Sequence, residues 1–198
     1  MGIAVVAVST LALCACGSHA DMKRASGGGV SLLVPRTWRV VSAGEHLKRP
    51  ELRQIERENP ELGAQLRALE HPSNPVKLLA LAPRSKQSDS GSINVFVFAA
   101  PDAETLPAFE RRVLAEHGRL PGYRLLDRRR VRVAKGPAAE VRFDLAYVYR
   151  GRRLEIRTLL IMMVRGGSEY GVTYAAGPDA WSVNERAFRR SVDSIRIG

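Results

Sequence analysis

The chain has 198 residues, with 31 Lys+Arg against 20 Asp+Glu, a net charge of +11 and two cysteines. That length suits one domain, or one domain and a tail, and falls short of the ~250 residues of a barrel enzyme. With 45% hydrophobic and 26% charged residues the composition is globular, which excludes a disordered chain. A chain of this size removes roughly 70% of its unfolded surface from water, so its core needs neither a metal nor a disulfide.

The first 15 residues, Met1 to Ala15, carry no charged side chain. Ile3 to Leu13 is an apolar run the length of a signal-peptide core, shorter than the ~20 residues that span a bilayer. It ends in Leu13-Cys14-Ala15-Cys16-Gly17-Ser18. This stretch resembles the bacterial lipobox, with an aliphatic residue three positions ahead of the modified Cys and a small one immediately before it. Cys16 fits as the lipidated residue; Cys14 does not, because Leu13 would then stand where the peptidase needs a small side chain. The other reading makes residues 1–16 a buried helix or strand of a cytosolic protein. The polar, Gly/Ser-rich stretch after Cys16, ending in Gly27-Gly28-Gly29, favours the lipobox, because it reads as a tether. The expected organisation is a signal peptide over residues 1–15, a lipidated Cys16 and flexible tether over 16–29, and a single domain over 30–198. No cysteine follows Cys16, so that domain holds no disulfide and no thiolate metal site.

Val30 to Pro35 reads as a strand stopped by proline, and Trp38 to Val41 as a short continuation. From His46 to Glu70, Leu52, Ile55, Leu62, Leu66 and Leu69 recur on one helical face. Asn59-Pro60-Glu61 divides that stretch into two helices, as a cap, a first-turn proline and a favourable charge. Val76 to Ala82 and Ser92 to Ala100 are strands separated by a polar loop at Lys86 to Gly91. Thr105 to Leu120 is a helix presenting Leu106, Phe109, Val113 and Leu120. Tyr123 to Val133 is a strand, and Val141 to Tyr149 alternates apolar residues with Arg142, Asp144 and Arg150. Leu154 to Val164 becomes apolar on both faces past Thr158, which places it centrally in a sheet covered on both sides. A Gly166-Gly167 hairpin turn leads to the strand Glu169 to Ala176. The last helix, Asp179 to Ile195, carries the stripe Trp181, Phe188, Val192 and Ile195, with Ser182 and Glu185 at capping-box spacing. Hairpin-joined strands between helices make an antiparallel α+β domain.

These residues also resemble a family. The carriers are Val34-Pro35-Arg36-Thr37-Trp38, the mid-chain helix, the Gly136-Pro-Ala-Ala-Glu-Val lead-in to a meander ending at Ala176, and the closing helix with Phe188 and Ser194-Ile195. In order and spacing they resemble the PsbP-like fold, in particular the LpqN-type lipoproteins of actinobacteria. The resemblance implies an antiparallel sheet sandwiched by helices with a closing C-terminal helix, the His46 to Glu70 helices being an insertion. It implies an accessory or partner-binding role, and it brings no catalytic residues.

The residues themselves name no chemistry. His19, His46, His71 and His117 are mutually distant, and none has a carboxylate at ligand spacing. Gly166-Gly167-Ser168-Glu169-Tyr170 lacks the second glycine of a nucleophile elbow, and no Ser-x-x-Lys or Lys-Thr-Gly occurs. Gly27-Gly28-Gly29 leads into a strand without the Gly-Lys-Ser/Thr of a phosphate loop. No metal, cofactor or catalytic residue is expected. Charge says more. Arg128, Arg130 and Arg132 fall on one face of their strand, and Arg150, Arg153 and Arg157 lie on neighbouring strands. They form a candidate patch for an anionic lipid, a phosphate-bearing wall polymer or an acidic protein partner. In the plainer reading they are a solvated sheet face, with Glu140, Asp144 and Glu155 as cross-strand partners. Nucleic acid is not expected for an exported chain without an aromatic-rich basic strand.

The functional expectation is a non-enzymatic accessory or partner-binding lipoprotein, lipid-anchored on the extracytoplasmic face of the bacterial membrane. The alternative is a carrier or sensor of a small amphiphile, held in a sheet–helix cavity lined by Trp38, Leu159, Ile161, Met162 and Met163. A hydrolase of wall material is a third class, for which no residue stands out.

Overall fold

The computed structural model describes residues 21–43, 71, 74–83, 91–102, 104–149 and 152–198. Among the described residues ten strands and two helices occur in this order: β1 Met22–Gly27, β2 Val30–Pro35, β3 Arg39–Ser42, β4 Val76–Leu81, β5 Ser92–Ala99, α1 Leu106–His117, β6 Arg124–Val133, β7 Gly136–Tyr149, β8 Arg152–Arg165, β9 Ser168–Ala176, α2 Pro178–Asp193 and β10 Arg196–Ile197. Seven strands form one sheet in the order β3-β4-β5-β9-β8-β7-β6, and β1-β2-β10 form a second, smaller sheet. Every pairing is antiparallel. The α+β reading holds.

The doubly apolar stretch of β8 organises the core. Leu159, Ile161 and Met163 join one buried cluster, while Leu160 and Met162 join another on the opposite face. Successive strand residues point to opposite faces, so both faces of the sheet must be covered. On one side α1 contributes Phe109 against Val141, Phe143 and Met162. On the other, α2 and the small sheet bury Trp181, Phe188 and Val192 together with Val30, Leu32 and Val34. Phe188 is fully buried and touches three rings, Trp38, Tyr174 and Trp181, at centroid distances of 6.0, 5.4 and 5.3 Å.

Several expectations are corrected. The stretch read as tether through Gly29 is a strand from Met22, because it pairs with β2 from Met22↔Pro35 to Gly27↔Val30. Residues Arg39–Ser42 do not continue β2; they pair with β4 in the large sheet. Helix α1 ends at His117, and Leu120 lies beyond it, exposed. Helix α2 is capped by Gly177 with Pro178 as its first residue. Ser182 sits inside the helix, where its hydroxyl donates to the Asp179 carbonyl at 3.2 Å, so no capping box forms. The expected helices at His46 to Glu70, and the greater part of the Lys86 to Gly91 loop, lie outside the described residues.

Candidate functional site

The arginines of β6 alternate between two faces of the sheet, and each face meets its own carboxylates. Arg128 and Arg130 turn towards α1 and both grip Glu110, at 2.6 and 2.5 Å. Glu110 is 1% exposed, a position a carboxylate tolerates only when paired. Arg132 shares that face and donates to the Lys135 carbonyl at 3.4 Å. On the α2 face, Glu140 is shared by Arg129 at 2.8 Å, Arg142 at 3.5 Å and Arg189 of α2, which reaches both oxygens at 2.9 Å. Asp144 is held by Arg124 at 2.6 Å and Arg157 at 3.0 Å. Burial works to raise the Asp144 carboxyl, but the hydrogen bonds and charges of Arg157 and Arg124 together outweigh it and leave the pKa lowered. Glu169, also buried, is paired with Arg112.

The patch expected on one surface is therefore divided. Arg128, Arg130 and Arg132 lie on the α1 side, while Arg153 and Arg157 fall on the α2 side by strand alternation. Arg153 is exposed and pairs with the exposed Glu155 at 3.2 Å, and Arg150 lies outside the described residues. The cross-strand partners Glu140, Asp144 and Glu155 all hold arginines. Two members of the network went unread. Glu110 stands four residues after Leu106 and three before Val113, on the apolar face of its helix. Arg189 stands three residues before Val192 on α2, at the border of that helix's apolar stripe. A charge set in an apolar stripe is the sequence signal for a buried partner.

The other expected residues fall as follows. Cys16 lies outside the described residues. His117 Nδ1 is 2.8 Å from the Val113 carbonyl and its ring meets Phe143 edge-on, so it finishes α1. Among the described residues no three His, Cys, Asp or Glu side chains gather as a metal site, and no helix is long and apolar enough to cross a membrane. Trp38, Leu159, Ile161, Met162 and Met163 are all buried core, on both sides of the sheet, so they do not line a common cavity. Met163 borders an open cleft.

That cleft, of about 1020 Å³, lies between the β6–β7 turn, the end of β8, the C-terminal end of α2 and the β1–β2–β10 sheet. Leu33, Val133, Met163 and Ile195 are among its apolar lining residues. Arg24, Lys135, Arg165 and Arg196 line it as well, against a single carboxylate, Asp193. Four separate chain segments supply these cations, and no motif announces them.

No protein-family model matches the chain, and no curated protein matches it. Its likeness is to solved structures. The cyanobacterial PsbP (CyanoP) of Synechocystis aligns over 95% of this chain and 99% of its own, at 12% identity and a TM-score of 0.55. The Ran-binding protein Mog1p of Saccharomyces cerevisiae aligns over 89% and 95%, at 12% identity and a TM-score of 0.51. LpqN of Mycobacterium tuberculosis, a protein involved in cell envelope biogenesis, aligns over 91% and 92%, at 14% identity and a TM-score of 0.49. At these identities the likeness is one of architecture, and the chain has the PsbP-like α+β fold.

Proposed function

We propose that this chain is a lipoprotein of the bacterial cell envelope, anchored through Cys16 on the extracytoplasmic face of the membrane, whose PsbP-like domain is a non-enzymatic module that binds a partner there. The observation that carries the reading is Leu13-Cys14-Ala15-Cys16 at the end of an uncharged apolar run. A lipobox Cys carries a diacylglyceryl group, and two acyl chains hold a protein stably on a bilayer where one does not. With β1 starting at Met22, the link from Cys16 spans at most ~21 Å, so the domain would stay against the headgroups. Its buried carboxylates support the non-enzymatic part. Glu110, Glu140 and Glu169 are each held by guanidinium groups, so these buried carboxylates serve to join helices and strands. The fold suits partner binding, since the yeast protein that shares it is a Ran-binding protein.

The test is intact-mass analysis of the full chain made in a bacterium with lipoprotein-processing enzymes, with labelled palmitate in the medium. The expected product has lost residues 1–15 and carries label on Cys16, and Cys16→Ser carries none. An unlabelled wild-type chain with Met1 in place would overturn the anchor.

A further inference from the structure

We infer that the cleft between the β6–β7 turn and the C-terminal end of α2 is a binding site for a phosphate monoester attached to an apolar group. This deepens the partner-binding part of the reading above, and it stands or falls separately from the anchor. The first observation is the pairing state of the cations. Arg128, Arg129, Arg130, Arg142 and Arg157 of the sheet are matched to carboxylates, but in the cleft Lys135, Arg165 and Arg196 make no side-chain hydrogen bond or ion pair among the described residues. Arg24 donates only to neutral acceptors, the Ser31 hydroxyl at 3.2 Å and the Ser194 carbonyl at 3.4 Å. Such bonds orient its guanidinium without neutralising it. Four cations against Asp193 leave an excess positive charge lining one cleft, and like charges gathered along one concave surface add their fields there.

The second observation is backbone strain at one edge of the cleft. Three tight hairpins of this fold turn through two residues of positive φ. Two of them use Gly-Gly: Gly28 and Gly29 at 59° and 76°, Gly166 and Gly167 at 57° and 72°. The third, between β6 and β7, forces Ala134 to 51° and Lys135 to 63°. This conformation is unfavourable for side chains with a Cβ and free for glycine. The chain uses the unstrained solution twice and departs from it where the turn residue delivers a cation to the cleft. Strain of this kind concentrates at ligand sites.

The ligand class follows from the lining. A guanidinium fork matches phosphate oxygens in pairs, and an ammonium adds a point charge. A doubly charged phosphate monoester fits the charge excess better than a single carboxylate. Leu33, Val133, Met163 and Ile195 provide an apolar surface for what the phosphate carries. A volume of about 1020 Å³ is that of a small-molecule site.

The experiment is isothermal titration of the full chain, held in a non-ionic detergent, with dihexanoyl phosphatidic acid, dihexanoyl phosphatidylcholine and inorganic phosphate. Phosphatidic acid is expected to bind at least tenfold more tightly than phosphatidylcholine and to weaken as salt rises. Arg165→Gln with Lys135→Gln should lose at least tenfold in affinity. Lys135→Gly separates binding from folding, because it should lose affinity while its melting temperature rises. Inorganic phosphate is expected to bind more weakly than phosphatidic acid, because it lacks the apolar group; equal binding would overturn the apolar half of the proposal. Failure of all three probes to bind at millimolar concentration, or variants that bind as the wild type does, would overturn it. A chain that takes up palmitate and binds no phosphate refutes the cleft alone, and the reverse result refutes the anchor alone.

Discussion

Replacing Glu140 by Gln removes the one negative charge that Arg129, Arg142 and Arg189 share, and turns an amide donor towards guanidinium donors. The carboxylate is 2% exposed. Removing one partner of a buried ion pair costs about 3–5 kcal/mol, because the other is left uncompensated. Here the arginines are partly exposed, with 51% of the Arg129 side chain and 28% of Arg142 and Arg189 open to solvent. Water therefore recovers part of the loss, and about 2–3 kcal/mol is expected. For a domain of this size that lowers the melting temperature by about 4–12 °C. The control is Arg153→Gln, which breaks an exposed pair with Glu155 and should cost less than about 1 kcal/mol. Calorimetry and urea denaturation measure both. A Glu140→Gln protein within about 0.5 kcal/mol of wild type would refute the view that this network holds α2 to the sheet.

Asp144, whose carboxyl titrates below the ordinary range, contributes stability that is present above pH ~4 and is lost as the pH falls through its lowered folded value. Asp144→Asn should therefore be less stable at neutral pH, and its acid unfolding limb, followed by circular dichroism, should be flatter. Tyr174 is fully buried, burial pushes its phenol upwards, and its hydroxyl donates to Ser191 Oγ at 3.2 Å. Its contribution is complete below the ordinary phenol value of ~10 and falls as the pH rises beyond it, when the unfolded chain loses the proton first. Tyr174→Phe should cost about 1 kcal/mol at neutral pH and weaken the alkaline decline, measured by denaturation from pH 8 to 11. Phe188→Ala empties the centre of the Trp38, Tyr174 and Trp181 cluster and should cost about 3–5 kcal/mol by urea denaturation.

Strand alternation and turn residues made β2, β4 to β9 and the central place of β8 legible, because each of these carries its own period or punctuation. Strand β1 was not legible. Met22-Lys-Arg-Ala-Ser-Gly27 has a polar composition and only Ala25 fully buried, so its conformation comes from the ladder with β2 and not from its own residues. The start of α2 was readable in principle, since Pro178 at the first helical position is a stronger signal than the later Ser182. For the arginines, alternation disclosed which residues share a face, but not which helix covers that face. Glu110 was therefore not legible as a gathering group, and Glu140 was legible as a cross-strand partner but not as the group that holds Arg189 of α2. The cleft cations come from β1, the β6–β7 turn, the end of β8 and β10, and only the fold brings those segments together. At the Ala134-Lys135 turn, a β-strand pattern on each side and no glycine gave no hint of the backbone found there.

The most direct test of the account is native mass spectrometry of the full chain, solubilised from its own membrane with the N-terminus intact. The account predicts a chain that begins at a diacylglyceryl-modified Cys16 and retains a bound partner. A chain that begins at Met1, carries no lipid and has nothing bound would contradict it.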